Sequence, residues 1–86
     1  MFYAYILYSE SIDRYYKGHT NNIIERLKRH NAGYVTYTSN GIPWELVLAL
    51  PKKTRSEAKQ LEIKLKNLNR KRLESFIIKY SDGETH

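Results

Sequence analysis

Apolar and aromatic residues crowd Phe2–Tyr8, FYAYILY, with no charged residue before Glu10. A short run of this composition, bounded by the polar SESIDR, predicts a β-strand. Side chains alternate across a strand, so Tyr3, Tyr5 and Leu7 share one face and Phe2, Ala4, Ile6 and Tyr8 the other. RYYKG, ending at Gly18, reads as its hairpin partner across a longer polar loop. The period then changes. In TNNIIERLKRHNAG, Thr20, Asn21 or Asn22 can cap a helix start and Gly33 follows its end. Ile23, Ile24, Leu27 and Asn31 form the expected inward stripe. Arg26 and His30 are four apart, so they share a face that flanks this stripe. Glu25, Lys28 and Arg29 point further outward.

AGYVTYTSNGIP has the Gly, Ser, Asn and Pro content of a loop. WELVLAL after Pro43 predicts a third strand, ended by Pro51. TRSEAKQLEIKLKNLN carries the strongest helix signal. Thr54 with Glu57 fits a capping box, and Ala58, Leu61, Leu65 and Leu68 make its apolar stripe. Glu62 falls at the margin of that stripe, where a carboxylate is costly unless paired or bound to a cation. RLESFIIKY predicts a last helix with Leu73, Phe76, Ile77 and Tyr80 inward. SDGETH, residues 81–86, has no apolar anchor and reads as a frayed tail. The order β-β-α-β-α-α predicts a single α+β domain over residues 1–80, with a three-stranded antiparallel sheet flanked by helices.

Composition narrows the function. A chain of 86 residues is one small domain. It has no cysteine, so disulfides and thiolate metal sites are excluded. No apolar run approaches the roughly 20 residues that span a bilayer. The N-terminal stretch lacks a basic leader and a small-residue cleavage site, so the expected location is cytoplasmic. Net charge is +6 and the sequence pI about 9.6. Between Lys52 and Arg72, nine lysines and arginines face only Glu57 and Glu62, a local +7 that exceeds the excess of the whole chain. That is the footprint of a polyanion-binding protein, although a solvated helix face can look similar. Eight tyrosines outnumber two phenylalanines and one tryptophan. Tyrosine packs in sheets and also stacks on bases. Lys17, His19, Lys59 and Lys66 are the expected nucleic-acid contacts.

Tyr5, Tyr16, Arg26, His30 and Glu62 make a set suited to metal-assisted phosphodiester hydrolysis. Glutamate can hold a hard cation such as Mg²⁺. Arginine can stabilise charge growing on a phosphate, and a phenol or imidazole can accept the proton of an attacking water. Each residue alone has a plainer reading: Tyr5 as core, Arg26 with Glu62 as an ion pair, His30 as a cap. In combination with the chain order, the set resembles a GIY-YIG nuclease-family domain, of the small stand-alone bacterial subgroup related to the excision-repair incision nuclease. YAY at 3–5 occupies the first motif and YKG at 16–18 the second. ERLKRHN at 25–31 resembles the arginine-bearing helix. YTSNGIPWELV resembles the subgroup's loop and third strand, and SEAKQLEIKLK at 56–66 the helix with the metal-binding glutamate.

The resemblance implies roles for these five residues. Tyr5 is the first-motif tyrosine implicated in activating water, and Tyr16 the second-motif tyrosine that contacts the phosphate or water network. Arg26 is the transition-state arginine, His30 the position one helical turn later, and Glu62 the metal ligand. Tyr15 faces away from the site, in packing. Tyr3, Ala4 and Lys17 depart from the motif letters, and Asn67 and Asn69 are both open as counterparts of a late asparagine. The implied activity is a Mg²⁺- or Mn²⁺-dependent DNA endonuclease acting in repair or recombination, with RNA left open as a substrate and a protein partner left open as the source of specificity. A nucleic-acid-binding module without turnover is the alternative, and an interaction adaptor a third reading.

Overall fold

The computed structural model describes residues 1–81. The elements are β1 (Phe2–Ser9), β2 (Arg14–Thr20), α1 (Ile23–Asn31), a 3₁₀ segment (Thr36–Gly41), β3 (Trp44–Lys52), α2 (Arg55–Lys66) and α3 (Arg70–Ser81). The strands form one antiparallel sheet in the order β2-β1-β3. β1 is central and both of its faces are buried. Ala4 and Ile6 pack with Leu48, Leu65 and Leu73 beneath α2 and α3. Tyr5 and Leu7 pack on the other face with Trp44, Ile23 and Leu27, under α1. The predicted α+β architecture is therefore present, with helices on both sides of the sheet.

Several local readings change. Pro51 does not end β3; it lies within it, opposite Tyr3. β3 is an edge strand, where a residue without an N–H leaves no rung of the ladder broken. A β-bulge opposite Ile6/Leu7 interrupts β3, so Leu48 faces Ile6 and Leu46 faces Leu7. Val47, the extra residue, packs beside Leu48 against the Ala4–Ile6 cluster. The expected loop contains the 3₁₀ segment, which buries Thr38. On α1, Ile24 is 72% exposed and His30 is fully buried, so the inward stripe is Ile23, Leu27 and His30. Tyr80 is exposed and stacks on Phe76 at 4.5 Å. α3 extends through Ser81. The tail expected beyond it lies outside the described residues.

The helix ends follow from their capping chemistry. Asn22 caps α1 by accepting from the Glu25 N–H at 3.1 Å. The helix stops in a Schellman arrangement: Tyr34 N–H reaches the Arg29 carbonyl and Gly33 N–H the His30 carbonyl. Gly33 has φ +83°, the left-handed conformation that favours glycine there. Thr54 caps α2 through the Glu57 N–H, while Glu57 reaches back one residue further than a standard box, to the Lys53 N–H. Asn67 is the C-cap of α2, and Asn69 accepts from the Arg72 N–H at the start of α3. Both asparagines thus serve helix ends. Arg70 ties α3 to the β1–β2 turn by gripping the Asp13 carbonyl and carboxylate at 3.1 and 2.6 Å. Tyr15 joins that strap through Glu74 at 3.1 Å, on the sheet face away from α1. No helix among the described residues is long and apolar enough to cross a membrane.

Candidate active site

Tyr5 stands on the central strand, and the residue directly opposite it on β2 is Gly18. A Cβ at position 18 would lie 2.7 Å from the Tyr5 hydroxyl oxygen and 2.8 Å from Cζ. The glycine of the second motif is therefore the space in which the Tyr5 ring lies. Held there, the Tyr5 hydroxyl reaches Nε2 of His30 at 3.0 Å. The other imidazole nitrogen, Nδ1, meets Thr38 Oγ1 at 2.7 Å.

The Val35 carbonyl lies 3.2 Å from Thr38 Oγ1 and can take its hydroxyl proton. In that arrangement Thr38 Oγ1 accepts from His30 Nδ1–H. Neutral His30 is left with a bare Nε2, which accepts the proton of the Tyr5 hydroxyl. Thr38 is itself located by Trp44, whose Nε1–H donates to the Thr38 carbonyl at 2.7 Å. Asn31 fixes Trp44 in turn: its side chain accepts from the Trp44 N–H at 2.6 Å and donates to the Trp44 carbonyl at 3.1 Å.

Tyr16 closes the cluster. Its ring meets His30 edge-on at 4.9 Å and lies 6.2 Å from Tyr5 and 6.3 Å from Trp44. Unlike Tyr5, which is 2% exposed, Tyr16 is only half-buried and borders an open groove. Burial drives the Tyr5 pKa well above the usual phenol value; Tyr16 adds to the rise and the Arg26 guanidinium opposes it. Burial also lowers His30, to about 4, with Arg26 and Arg29 contributing. Both groups are thus held neutral at physiological pH, the phenol protonated and the imidazole uncharged.

Glu62 comes from α2, across the β2 edge. Its Oε1 accepts from His19 Nδ1–H and its Oε2 from Lys66 Nζ, both at 2.6 Å. Its salt-bridge partners are therefore these two residues and not Arg26. Burial pushes the Glu62 carboxyl up, but the Lys66 and His19 hydrogen bonds outweigh it and hold the group below the usual carboxylate range. It is ionised at neutral pH. Among the described residues, no three His, Asp or Glu side chains gather into a metal cage. A single carboxylate with a free lone pair on each oxygen nonetheless fits Mg²⁺, which binds through one or two carboxylates and otherwise keeps water or phosphate oxygens.

The structure thus brings Tyr5, Tyr16 and His30 into direct contact, with Arg26 beside Tyr5 and Glu62 at the rim. Lys17, His19 and Lys66 lie along the same edge, whereas Lys59 is exposed on α2 and does not line the groove. Thr38 and the steric role of Gly18 are not evident from sequence patterning. The only sign of Thr38 is its place in a polar loop.

A family model described as the GIY-YIG catalytic domain matches residues 1–75. A UPF0213 protein of Listeria monocytogenes is 35% identical over 75 residues, covering 86% of this chain and 84% of its own length. The UPF0213 protein YazA of Bacillus subtilis is 41% identical over 64 residues, 73% of this chain and 65% of that protein. The solution structure of the UPF0213 protein BH0048 from Bacillus halodurans superposes with a TM-score of 0.60 at 29% identity, covering 93% of this chain and 86% of that one. With the two motif strands, the arginine helix and the glutamate helix all in place, the chain belongs to the GIY-YIG catalytic-domain family.

Proposed function

We propose that this protein is a metal-dependent endonuclease that hydrolyses phosphodiester bonds in DNA. The observation that carries the reading is the Tyr5–His30 hydrogen bond, with Arg26 beside the phenol. In catalysis the attacking water passes its proton to the phenol oxygen as the phenol passes its own to His30 Nε2. His30 becomes an imidazolium whose Nδ1–H stays on Thr38. A base is most effective when its pKa lies near the working pH, and His30 at about 4 is too weak in the free protein. Arg26 is one cause of that low value. A phosphodiester bound to Arg26 would offset that share of the depression, leaving burial, the larger cause, in place. Arg26 then stabilises the charge that grows on the phosphate oxygens. Tyr16, half-exposed beside His30, orients the phosphate. Glu62 would hold the Mg²⁺ or Mn²⁺ ion, which supplies positive charge for the developing phosphorane and leaving oxygen.

The second reading is a nucleic-acid-binding module without turnover. It draws on the two cations, Lys66 and His19 when protonated, that already occupy both oxygens of Glu62. The test is cleavage of labelled single-stranded, duplex, nicked and branched DNA against Mg²⁺ and Mn²⁺ concentration, for wild type and Glu62→Ala. The expected result is metal-dependent cleavage that Glu62→Ala abolishes, with folding and DNA affinity retained. Metal-dependent cleavage at the wild-type rate by folded Glu62→Ala would remove Glu62 from the mechanism. Salt-sensitive binding with no cleavage of any substrate would establish the second reading.

A further inference from the structure

β2 is an edge strand, and an open groove runs along it beside the Tyr5–His30–Tyr16 cluster, sharing Tyr16 with it. One part, about 440 Å³, is lined by Tyr15, Tyr16, Lys17, Tyr37 and Lys66. Past Tyr37 it continues into a hollow of about 580 Å³ bordered by Arg14 and Asn40. Each is within the roughly 300–1,000 Å³ typical of small-molecule sites.

Two side chains of this groove, Tyr37 and Lys17, have no evident use in the fold. Tyr37 is 83% exposed; its ring stands 6.0 Å from that of Tyr16 and leaves a π-face open to solvent. Lys17 forms no salt bridge among the described residues. Burial and the nearby Lys66 ammonium press its pKa below the ordinary lysine value. Two like charges share one wall, which an anion would relieve. Lys66 also bonds Glu62 at 2.6 Å, so the groove opens directly onto the proposed reaction centre.

We propose that this groove is a nucleotide subsite for single-stranded DNA, in which Lys17 and Lys66 hold a phosphate next to the scissile one and the attached base stacks on Tyr37. Cations that track the backbone beside an aromatic face are the elements of single-strand binding. In a duplex both faces of a base are covered by its neighbours, so Tyr37 can engage only an unpaired nucleotide. The proposal rests on the nuclease reading and adds the substrate class: DNA with an unpaired nucleotide beside the cleaved bond.

The test measures binding without divalent metal, so that no strand is cut. A fluorescent single-stranded pyrimidine oligonucleotide and a hairpin duplex are titrated with wild type, Tyr37→Ala, Tyr37→Phe and Lys17→Ala. Tyr37→Ala should bind the single strand about 5- to 150-fold more weakly, the usual worth of one stacked base. Tyr37→Phe keeps the ring and should bind like wild type. Lys17→Ala should flatten the log–log salt dependence by about 0.7, one single-strand phosphate. Duplex affinity should not depend on Tyr37. Wild-type single-strand affinity in Tyr37→Ala, or an equal loss on the duplex, overturns the subsite. Wild-type cleavage with Mg²⁺ is measured in parallel. Cleavage combined with Tyr37-independent binding overturns the subsite alone, while Tyr37-dependent single-strand binding without cleavage sustains the subsite and overturns the nuclease.

Discussion

Acidification should destabilise this protein before its carboxylates titrate, and His30 is the reason. The imidazole is fully buried, with both nitrogens committed to Tyr5 and Thr38 and with Arg26 and Arg29 nearby. Its pKa falls from 6.5 to about 4 on folding. A depressed pKa means that the unfolded chain binds the proton more readily. The neutral histidine therefore contributes its full stability above pH 6.5, and that stability is lost as pH falls towards 4. At about 1.36 kcal/mol per pKa unit, the loss across the window is about 3 kcal/mol. Domains of this kind have about 5–15 kcal/mol in total, and at about 4–8 °C per kcal/mol the melting temperature should drop by more than about 10 °C. The assay is urea unfolding at intervals from pH 7.5 to 4.5, with His30→Gln as the non-titrating control. The slope of stability against pH should be steep in wild type and shallow in His30→Gln, with the denaturant m-value unchanged. Glu62 and Asp13, both lowered from the ordinary carboxylate range, act further down the scale. A His30→Gln protein that loses stability in parallel with wild type between pH 6.5 and 4.5 would refute the assignment.

Gly18→Ala should push its methyl into the Tyr5 ring, costing about 1–3 kcal/mol as an overpacked contact and breaking the Tyr5–His30 bond; an unshifted melting curve with undiminished cleavage would show that the ring has other room. Thr38→Val leaves His30 Nδ1–H without an acceptor at a cost of about 1–3 kcal/mol. The imidazole ¹⁵N shifts should report a changed tautomer population that Thr38→Ser restores; unchanged shifts would break the assigned chain. Tyr5→Phe keeps the ring but leaves Nε2 of His30 unpartnered, so cleavage should slow by about 10²- to 10⁴-fold with a stability loss of about 1–3 kcal/mol. Full activity in the folded variant would remove the phenol from proton transfer.

The sheet was legible in the sequence because β1 declares itself: an unbroken aromatic and aliphatic run buried on both faces needs no partner to be recognised. The chemistry of the five site residues was legible only through their order along the chain. What sequence could not convey was pairing at a distance. His30 looks like an edge residue by polarity, yet it displaces Ile24 from the interior because Tyr5 and Thr38 satisfy both its nitrogens. The plainer alternative for Glu62 was an ion pair with Arg26, but its partners are Lys66, one turn along, and His19, 43 positions away on the adjoining strand. Pro51 was read as a stop because a breaker's meaning depends on whether its strand is central or at an edge, and that is fixed only when the sheet assembles. Hydrophobic periodicity likewise assumes one face per strand position, and the bulge at Val47 sets two successive residues on the same face.

The Asn31 clamp on Trp44 bears on how this sheet avoids other sheets. An open edge strand offers paired N–H and C=O groups to any passing chain and is a standing risk for aggregation. At Trp44, the first residue of edge strand β3, both groups are taken by one side-chain amide from α1. The amide imitates a single rung of a fourth strand and then ends, offering nothing further to pair with. Near the far end of the same strand, Pro51 supplies no N–H at all. The two ends of β3 are thus blunted by different means, an occupied rung and a missing donor. Asn31→Leu would keep a side chain of similar size while unmasking the first rung, and its first symptom should be concentration-dependent association of a still-folded protein.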